Sequence, residues 1–159
     1  GKLPSRYQFV SVGLGVLSGV QRFYFPADPE HVSMSLVHDS GTGHIDCQFL
    51  TLTDLMLRLG HNYVDLLKVD IEGAEYGVVQ KWLDEGQALA IGQVWIEFHP
   101  ERAGASAADT LGVVSKLKHL GLTPLYDGRN GFLLINRLYH AIPLRAWVSL
   151  CIHPVLAPV

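Results

Sequence analysis

The sequence predicts an α/β fold with a mostly parallel sheet that ends in an antiparallel hairpin. Three observations lead to this prediction. Strand-like and helix-like segments alternate from Val64 to Leu120, which is typical of a parallel sheet with helical crossovers. The run Val64 to Ile71 is apolar enough to be buried on both faces. Two further strand-like runs flank a glycine-containing turn at Asp127 to Gly131, which indicates a hairpin.

Length and composition fit one globular domain. The chain has 159 residues, of which 48% are hydrophobic and 17% are charged, so it can bury a core and is not disordered. Its formal net charge of −3 argues against a nucleic-acid partner. No apolar run approaches the roughly 20 residues of a membrane span, and no signal peptide is recognisable at the N-terminus. The compartment stays unassigned, and oligomerisation is compatible with the sequence.

The first third of the chain predicts short strands and loops. We expect strands at Gln8 to Val12, Val20 to Phe25 and Ile45 to Phe49. Residues 12 to 19, with the sequence VGLGVLSG, invite interpretation as a nucleotide-binding glycine loop, but such a loop must lead into a helix. The β-forming residues that follow predict a strand, so we interpret Ser18-Gly19 as a hairpin turn. A helix over residues 20 to 25 would restore the nucleotide site.

The middle of the chain predicts two helices around a buried strand. Apolar residues at helical spacing follow Thr51, a plausible N-cap, and the helix is expected to end at Gly60. The strand Val64 to Ile71 comes next. A second amphipathic helix then runs from about Ala74 to Gly86.

The last predicted elements complete the alternation. A strand at Gln93 to Phe98 is stopped by Pro100, and a helix runs from about Ser106 to Leu120. Strands at Pro124 to Tyr126 and Phe132 to Asn136 then form the antiparallel hairpin, which should add an edge strand to the sheet.

Polar residues follow the two central strands at the point where each strand ends. Consecutive parallel strands are often neighbours, and ligands of open α/β sheets bind beyond the carboxyl ends of the strands. We therefore expect these side chains to converge, where they can catalyse proton transfer, hold a hard cation or bind a polar cofactor. The candidates are Asp70, Glu72, Glu75, Glu97 and His99.

Each candidate also has a structural interpretation. Glu75 lies in a first helical turn, where a carboxylate interacts favourably with the helix dipole. Glu72 fits a solvated loop, and His99 can simply end its strand before Pro100. Glu97 is flanked by Ile96 and Phe98, so its side chain alternates away from theirs. Asp70 closes an apolar strand, where a charge is costly without partners, so the functional interpretation is favoured most for Asp70.

Residues 51 to 83 resemble the FkbM-type methyltransferases. In that family a TLxDL helix precedes a strand with the sequence DLLKxDxEGAE, which stands here at residues 65 to 75. The later WIEFHP at Trp95 to Pro100 also resembles the family, as do residues 12 to 25, a stretch that is not its cofactor loop. The resemblance covers about residues 8 to 136. We therefore divide the chain into a domain at 1–136 and an apolar tail at 137–159.

The resemblance implies a Rossmann-like sheet and S-adenosylmethionine as cofactor, used for O-methylation of a small-molecule or glycan hydroxyl. It implies that Asp70 ends the fourth strand of that fold and binds the cofactor together with Glu72 and Gly73. Glu75, Glu97 and His99 would face the acceptor.

Methyl transfer requires positioning and a base for the hydroxyl proton. We expect Asp70, His99 and Glu97 to be catalytic, with His99 or Asp70 as the base. We expect no resident metal, although a divalent ion held by Asp70, Glu72 and either Glu97 or His99 would suit the same residues.

The chain departs from the family at its beginning. The family's first strand with its glycine-rich cofactor loop, and the acidic end of the second strand, have no counterpart and would lie upstream of residue 8. We expect the chain to be the C-terminal part of the domain, to bind the cofactor weakly or not at all, and to expose the sheet edge where the first strand belongs, with a risk of aggregation or dimerisation.

Two other classes of function remain open. A metal-assisted hydrolase would use Asp70, Glu72, Glu97 and His99, and inhibition by a chelator would favour it. A non-catalytic Rossmann-like binding module would fit a chain without a cofactor loop. The sequence does not identify the methyl acceptor.

Overall fold

The computed structural model describes residues 8–30, 33–86, 90–127, 131–136 and 147–151. These residues form a mixed α/β structure with two sheets and four helices, which confirms the predicted α/β class. None of the helices in these ranges has both the length and the apolar content that a membrane crossing requires.

The smaller sheet has three strands. They are β1 (Gly13–Leu14), β2 (Gly19–Tyr24) and β3 (His44–Leu50). Strand β2 pairs antiparallel with β3, and β1 pairs parallel with the other edge of β3. The strands predicted over residues 20–25 and 45–49 are confirmed to within one residue.

The N-terminal predictions need two corrections. The strand predicted at Gln8 to Val12 is wrong, because these residues have no strand pairing and the short β1 follows them. Because β1 pairs with β3 and not with β2, Ser18-Gly19 is not the turn of a β1–β2 hairpin. Residues 19–24 form a strand and not a helix. The glycines before them therefore do not precede a helix N-terminus, and the structure argues against a nucleotide-binding loop here.

The larger sheet places the two predicted central strands side by side. Its strand order is β6-β7-β5-β4-β8, and β4 is parallel to both β5 and β8. The prediction that the two central strands are neighbours is therefore confirmed. The five strands are β4 (Val64–Asp70), β5 (Ile91–Glu97), β6 (Leu122–Asp127), β7 (Gly131–Asn136) and β8 (Trp147–Cys151).

The C-terminal strands confirm the predicted hairpin and add one strand that was not predicted. The β6–β7 hairpin is antiparallel, β7 pairs with β5, and β6 is the edge strand. Strand β8 lies in the tail, where the sequence shows no periodicity, and it covers the free side of β4. That side of β4 is therefore paired, and β8 is the edge strand there. The centre of the predicted hairpin turn, residues 128–130, lies outside the described residues.

The three predicted helices form close to the positions that their capping residues and apolar spacing indicate. Helix α1 (Leu52–Leu59) begins where Thr51 Oγ1 accepts a hydrogen bond from the Asp54 N–H at 3.1 Å, and it ends at Gly60. Helix α2 (Glu75–Asp84) and helix α4 (Ala107–His119) confirm the other two predictions, and Ser106 forms a capping box at the start of α4. The four-residue α3 (Pro100–Ala103) was not predicted, although proline is favoured at the first helical position.

One face of β4 and β5 packs in the core, and their opposite face is half-buried except at Val64 and Ile91, which are buried. Side chains of α2 and α4 share a hydrophobic cluster with alternate residues of β4 and β5. The intervening residues, such as Lys68 and Trp95, are only half-buried on the opposite face. The buried set includes Leu67, Val69, Val78, Trp82, Val94, Ile96, Val114 and Leu117.

Gly13 provides a test of the pairing between β1 and β3. A Cβ atom at this position would overlap the ring of the fully buried Phe49, so we expect Gly13→Ala to lower the free energy of unfolding by about 2 kcal/mol. In Gly112→Ala, within α4, the added methyl group meets nothing within 4 Å, and this variant should gain about 0.5 kcal/mol. Urea unfolding measures both, and equal effects of the two substitutions would contradict the described packing.

Candidate functional site

The candidate site lies where β4 and β5 end beside each other. The strands are in register with Val69 opposite Ile96, so Asp70 and Glu97 end their strands at the same sheet edge. The chain then turns from β4 into α2 and from β5 through His99 into α3. These two connections bring polar side chains together although they are far apart in sequence.

Glu75 is the buried anchor of the site. It is 0% exposed, and its carboxylate accepts hydrogen bonds from the N–H groups of Ile71 at 2.9 Å and Gly73 at 3.0 Å. Its Oε1 also lies 3.0 Å from Nδ1 of His99. Hydrogen bonds to an ionised acceptor are short and strong, and they offset the cost of burying the charge. The carboxylate therefore fixes both the β4–α2 turn and the imidazole ring.

The contact with Glu75 determines which ring nitrogen of His99 is free. An ionised carboxylate can only accept, so we assign the proton to Nδ1, and the neutral ring then has its lone pair on Nε2. Nε2 lies 3.9 Å from Asp70 Oδ1 and 3.7 Å from Glu72 Oε2. The hydrogen bond to Glu75 raises the pKa of His99 above its ordinary value. Partial burial opposes this effect, while the negative charges of Glu75, Glu72 and Asp70 reinforce it.

Two cations partly neutralise the carboxylates. Lys68 Nζ lies 2.9 Å from Asp70 Oδ2, and Arg102 Nε lies 3.0 Å from Glu72 Oε2. Together with Glu75 there are three carboxylates against these two cations. The cluster therefore carries one net negative charge when His99 is neutral and none when it is protonated.

The turn after β4 has an unusual backbone that depends on two neighbouring segments. Glu72 has φ 55°, in the left-handed region that costs a side-chain-bearing residue about 1–2 kcal/mol. Its carbonyl accepts a hydrogen bond from Oγ of the buried Ser35 at 2.7 Å. Gly73 has φ 104°, and a Cβ there would come within 2.9 Å of Val37 and 3.0 Å of Arg102 Cβ. This turn therefore requires glycine at residue 73.

The structure brings together most of the predicted site residues. Asp70, Glu72, Glu75 and His99 form one connected cluster. Glu97 stands at the same sheet edge and is half-buried, with its apolar neighbours in the sequence facing the core as predicted. No hydrogen bond or ion pair links Glu97 to the cluster among the residues that the structure describes.

Sequence reasoning missed three contributors to the site. Lys68 had a usable signal, because residues two apart on a strand share a face and Asp70 lies two positions on. Arg102 lies on α3, which was not predicted. Ser35 is separated from Glu72 by 37 positions, and nothing in its local sequence indicates the contact.

The cluster offers two kinds of chemistry. Nε2 of His99 can accept a proton, because Glu75 stabilises the imidazolium that results. Alternatively, Asp70, Glu72 and His99 can present one ligand atom each to a cation, and these atoms lie within 4.8 Å of one another. The N–H of Gly73 is already donated to Glu75, and Glu75 itself has no exposed surface with which to meet a dissolved molecule.

We expect Glu75→Gln to destabilise the protein by about 2–4 kcal/mol. The substitution turns an acceptor of three hydrogen bonds into a group whose amide nitrogen opposes buried donors. Glu85→Gln is the matched control, because Glu85 is exposed and its pair with Lys81 at 3.0 Å is a surface contact, worth at most about 1 kcal/mol. Urea unfolding should separate the two variants clearly, and a loss below about 1 kcal/mol for Glu75→Gln would argue against the anchoring role.

The raised pKa of His99 predicts a pH dependence of stability. Because the folded state binds the proton more tightly, His99 stabilises the protein fully below its unfolded pKa of about 6.5 and loses this effect as pH rises through the raised folded value. In metal-free buffer, the difference in unfolding free energy between the wild type and His99→Gln should therefore shrink with rising pH. Urea unfolding from about pH 5.5 to about pH 8.5 measures it, and a difference that grows with pH would refute the assignment.

A family comparison covers most of the chain, including the whole cluster. A sequence model of the methyltransferase FkbM domain matches residues 4–122. No curated protein and no solved structure matches the chain. The matched range contains the β4–α2 turn, His99 and Arg102, so the residues that form the cluster all lie in the shared domain. The chain therefore belongs to the methyltransferase FkbM domain family.

Proposed function

We propose that this protein is an S-adenosylmethionine-dependent methyltransferase that methylates a hydroxyl oxygen. Membership of the FkbM family supports methyl transfer. The observation that carries the oxygen-directed proposal is the Glu75–His99 pair, which fixes an imidazole with a free Nε2 at the site. Methylation of a hydroxyl requires the loss of its proton, and such an imidazole is suited to accept it.

The sheet topology supports a Rossmann-like interpretation. Strands β8, β4 and β5 are parallel, and β6 runs in the same direction because both β5 and β6 are antiparallel to β7. Among the described strands of this sheet, β7 alone runs in the opposite direction. The cluster lies beyond the carboxyl ends of β4 and β5, which is where open α/β sheets bind their ligands.

The donor set at this edge fits the cofactor. When bound, S-adenosylmethionine supplies the electrophilic methyl group on a cationic sulfonium. The cluster carries one net negative charge with neutral His99, which favours a cation. Asp70 and Glu72 are only partly exposed, at 28% and 14% of their side chains, and they would hold the cofactor through carboxylate acceptors. Gly73 would act through the shape of the turn.

The chain's own residues would accept the hydroxyl proton, position the base and contact the acceptor. His99 accepts the hydroxyl proton at Nε2 while the acceptor oxygen is aligned with the methyl group. Glu75 is a positioning residue rather than a substrate ligand, because it is fully buried and acts through Nδ1 of His99. Glu97, at the same edge but outside the cluster, would contact the acceptor.

Calorimetric titration with S-adenosylmethionine tests the proposal. We expect weak binding to the 159-residue protein, which falls by at least a further factor of about ten in Asp70→Ala, because a cationic ligand loses a charged partner. Asp84→Ala removes an exposed carboxylate at the end of α2 and should bind as the wild type does. Any longer natural form of the protein should be titrated alongside.

Two results of the titration would contradict the proposal. Folded protein that binds neither S-adenosylmethionine nor S-adenosylhomocysteine in any natural form would indicate a non-catalytic module. Equal affinity for wild type and Asp70→Ala would place the cofactor elsewhere.

A further inference from the structure

We propose that Asp70, Glu72 and His99 form a binding site for a divalent transition-metal ion. This inference goes beyond methyl transfer and does not depend on it. It differs from the set expected for a hydrolase, because Glu97 is not a ligand. Asp70 ends β4, Glu72 lies in the turn that follows, and His99 follows β5. The register of β4 and β5 places all three at one end of the sheet.

The spacing of His99 from the two carboxylates suits ligands of one ion better than partners in hydrogen bonds. Nε2 of His99 lies 3.9 Å from Asp70 Oδ1 and 3.7 Å from Glu72 Oε2, whereas an N–H···O hydrogen bond spans about 2.7–3.2 Å. Two atoms that are each about 2.1 Å from the same ion lie roughly 3.0–4.2 Å apart, depending on the bond angle. Both measured distances fall within that interval.

The alternative is a protonated His99 in an ion-pair network. An imidazolium would carry an N–H at Nε2, and such a donor would approach one of the carboxylates to hydrogen-bond distance. Within the described part of the chain, Nε2 makes no hydrogen bond, whereas Nδ1 makes one to Glu75. A lone pair directed between two carboxylates is the arrangement of a metal-ligating imidazole.

The support behind His99 is also typical of a metal site. Ligating histidines usually donate their other ring N–H to a carboxylate, which fixes the tautomer and makes the ring a stronger ligand. Glu75 fills this role, and it is itself held by the N–H groups of Ile71 and Gly73. The ligand is therefore oriented before any ion arrives.

The flanking cations leave ligand atoms available. Lys68 contacts Oδ2 of Asp70, which leaves Oδ1 facing His99. Arg102 contacts Oε2 of Glu72 through Nε, and a carboxylate oxygen has a second lone pair, so the same Oε2 that lies 3.7 Å from His99 Nε2 can still serve as the ligand. With three protein ligands, such a site keeps coordination positions open for another molecule.

The donor set selects the class of ion. One imidazole nitrogen and two carboxylate oxygens suit Mn²⁺, Fe²⁺ or Zn²⁺, whereas Mg²⁺ and Ca²⁺ prefer oxygen ligands alone. A bound ion would lower the pKa of a coordinated hydroxyl group.

Mn²⁺ titration followed by electron paramagnetic resonance tests the site, because the signal of the free ion falls as it binds. We expect one Mn²⁺ per chain for the chelator-treated 159-residue protein. Asp70→Asn and His99→Gln should each weaken binding by at least about tenfold. Glu101→Gln removes an exposed carboxylate two positions from His99 and should leave the affinity within about twofold of the wild type.

Two results would overturn the proposal. One is the absence of binding by folded wild-type protein at millimolar Mn²⁺. The other is an equal affinity in wild type, Asp70→Asn and His99→Gln, with circular dichroism confirming that all are folded. The titration contains no S-adenosylmethionine, and the cofactor calorimetry can be run with chelator, so failure of the metal site and failure of the proposed methyltransferase activity are separable.

Discussion

The buried carboxylate of Glu75 is the group on which the rest of the site depends. It is fully enclosed, and it accepts two backbone N–H groups of the β4–α2 turn as well as the imidazole of His99. Without it, two enclosed amide donors would lack an acceptor, which is costly in a protein interior. Glu75 therefore holds both the turn next to Asp70 and Glu72 and the imidazole ring that faces them. The same contacts stabilise the fold and fix the geometry of the candidate site.

At the end of β5, two adjacent residues have different roles: Phe98 packs in the core, and His99 lies at the candidate site. Phe98 is 0% exposed, and its ring centroid lies 5.1 Å from that of Tyr76 and 5.8 Å from that of Phe132. His99, the next residue, lies beyond the carboxyl end of β5, beside the end of β4. A ring held by aromatic neighbours restrains the backbone of the residue beside it, and such rigid support is what a preorganised site requires.

Local patterns account for the parts of the fold that could be predicted. The apolar run ending in Asp70, the cap at Thr51 and the alternation around Glu97 each depend on neighbours in sequence, and the structure agrees with all three. The failures involve distant partners or ambiguous signals. Residues 8 to 12 are partly apolar but find no strand to pair with, β8 has no periodicity, and Pro100 can end a strand and begin a helix equally well.

The left-handed backbone of Glu72 has a consequence for protein engineering. Glycine adopts this conformation without steric cost, so a selection for thermal stability alone would tend to replace Glu72. The carboxylate that lies 3.7 Å from Nε2 of His99 would disappear in the same step, because the residue with the strained backbone is also one of the proposed site residues. Stabilised variants of this protein therefore need to be screened for ligand binding at every round, since improved melting behaviour and loss of the site can arise from one substitution.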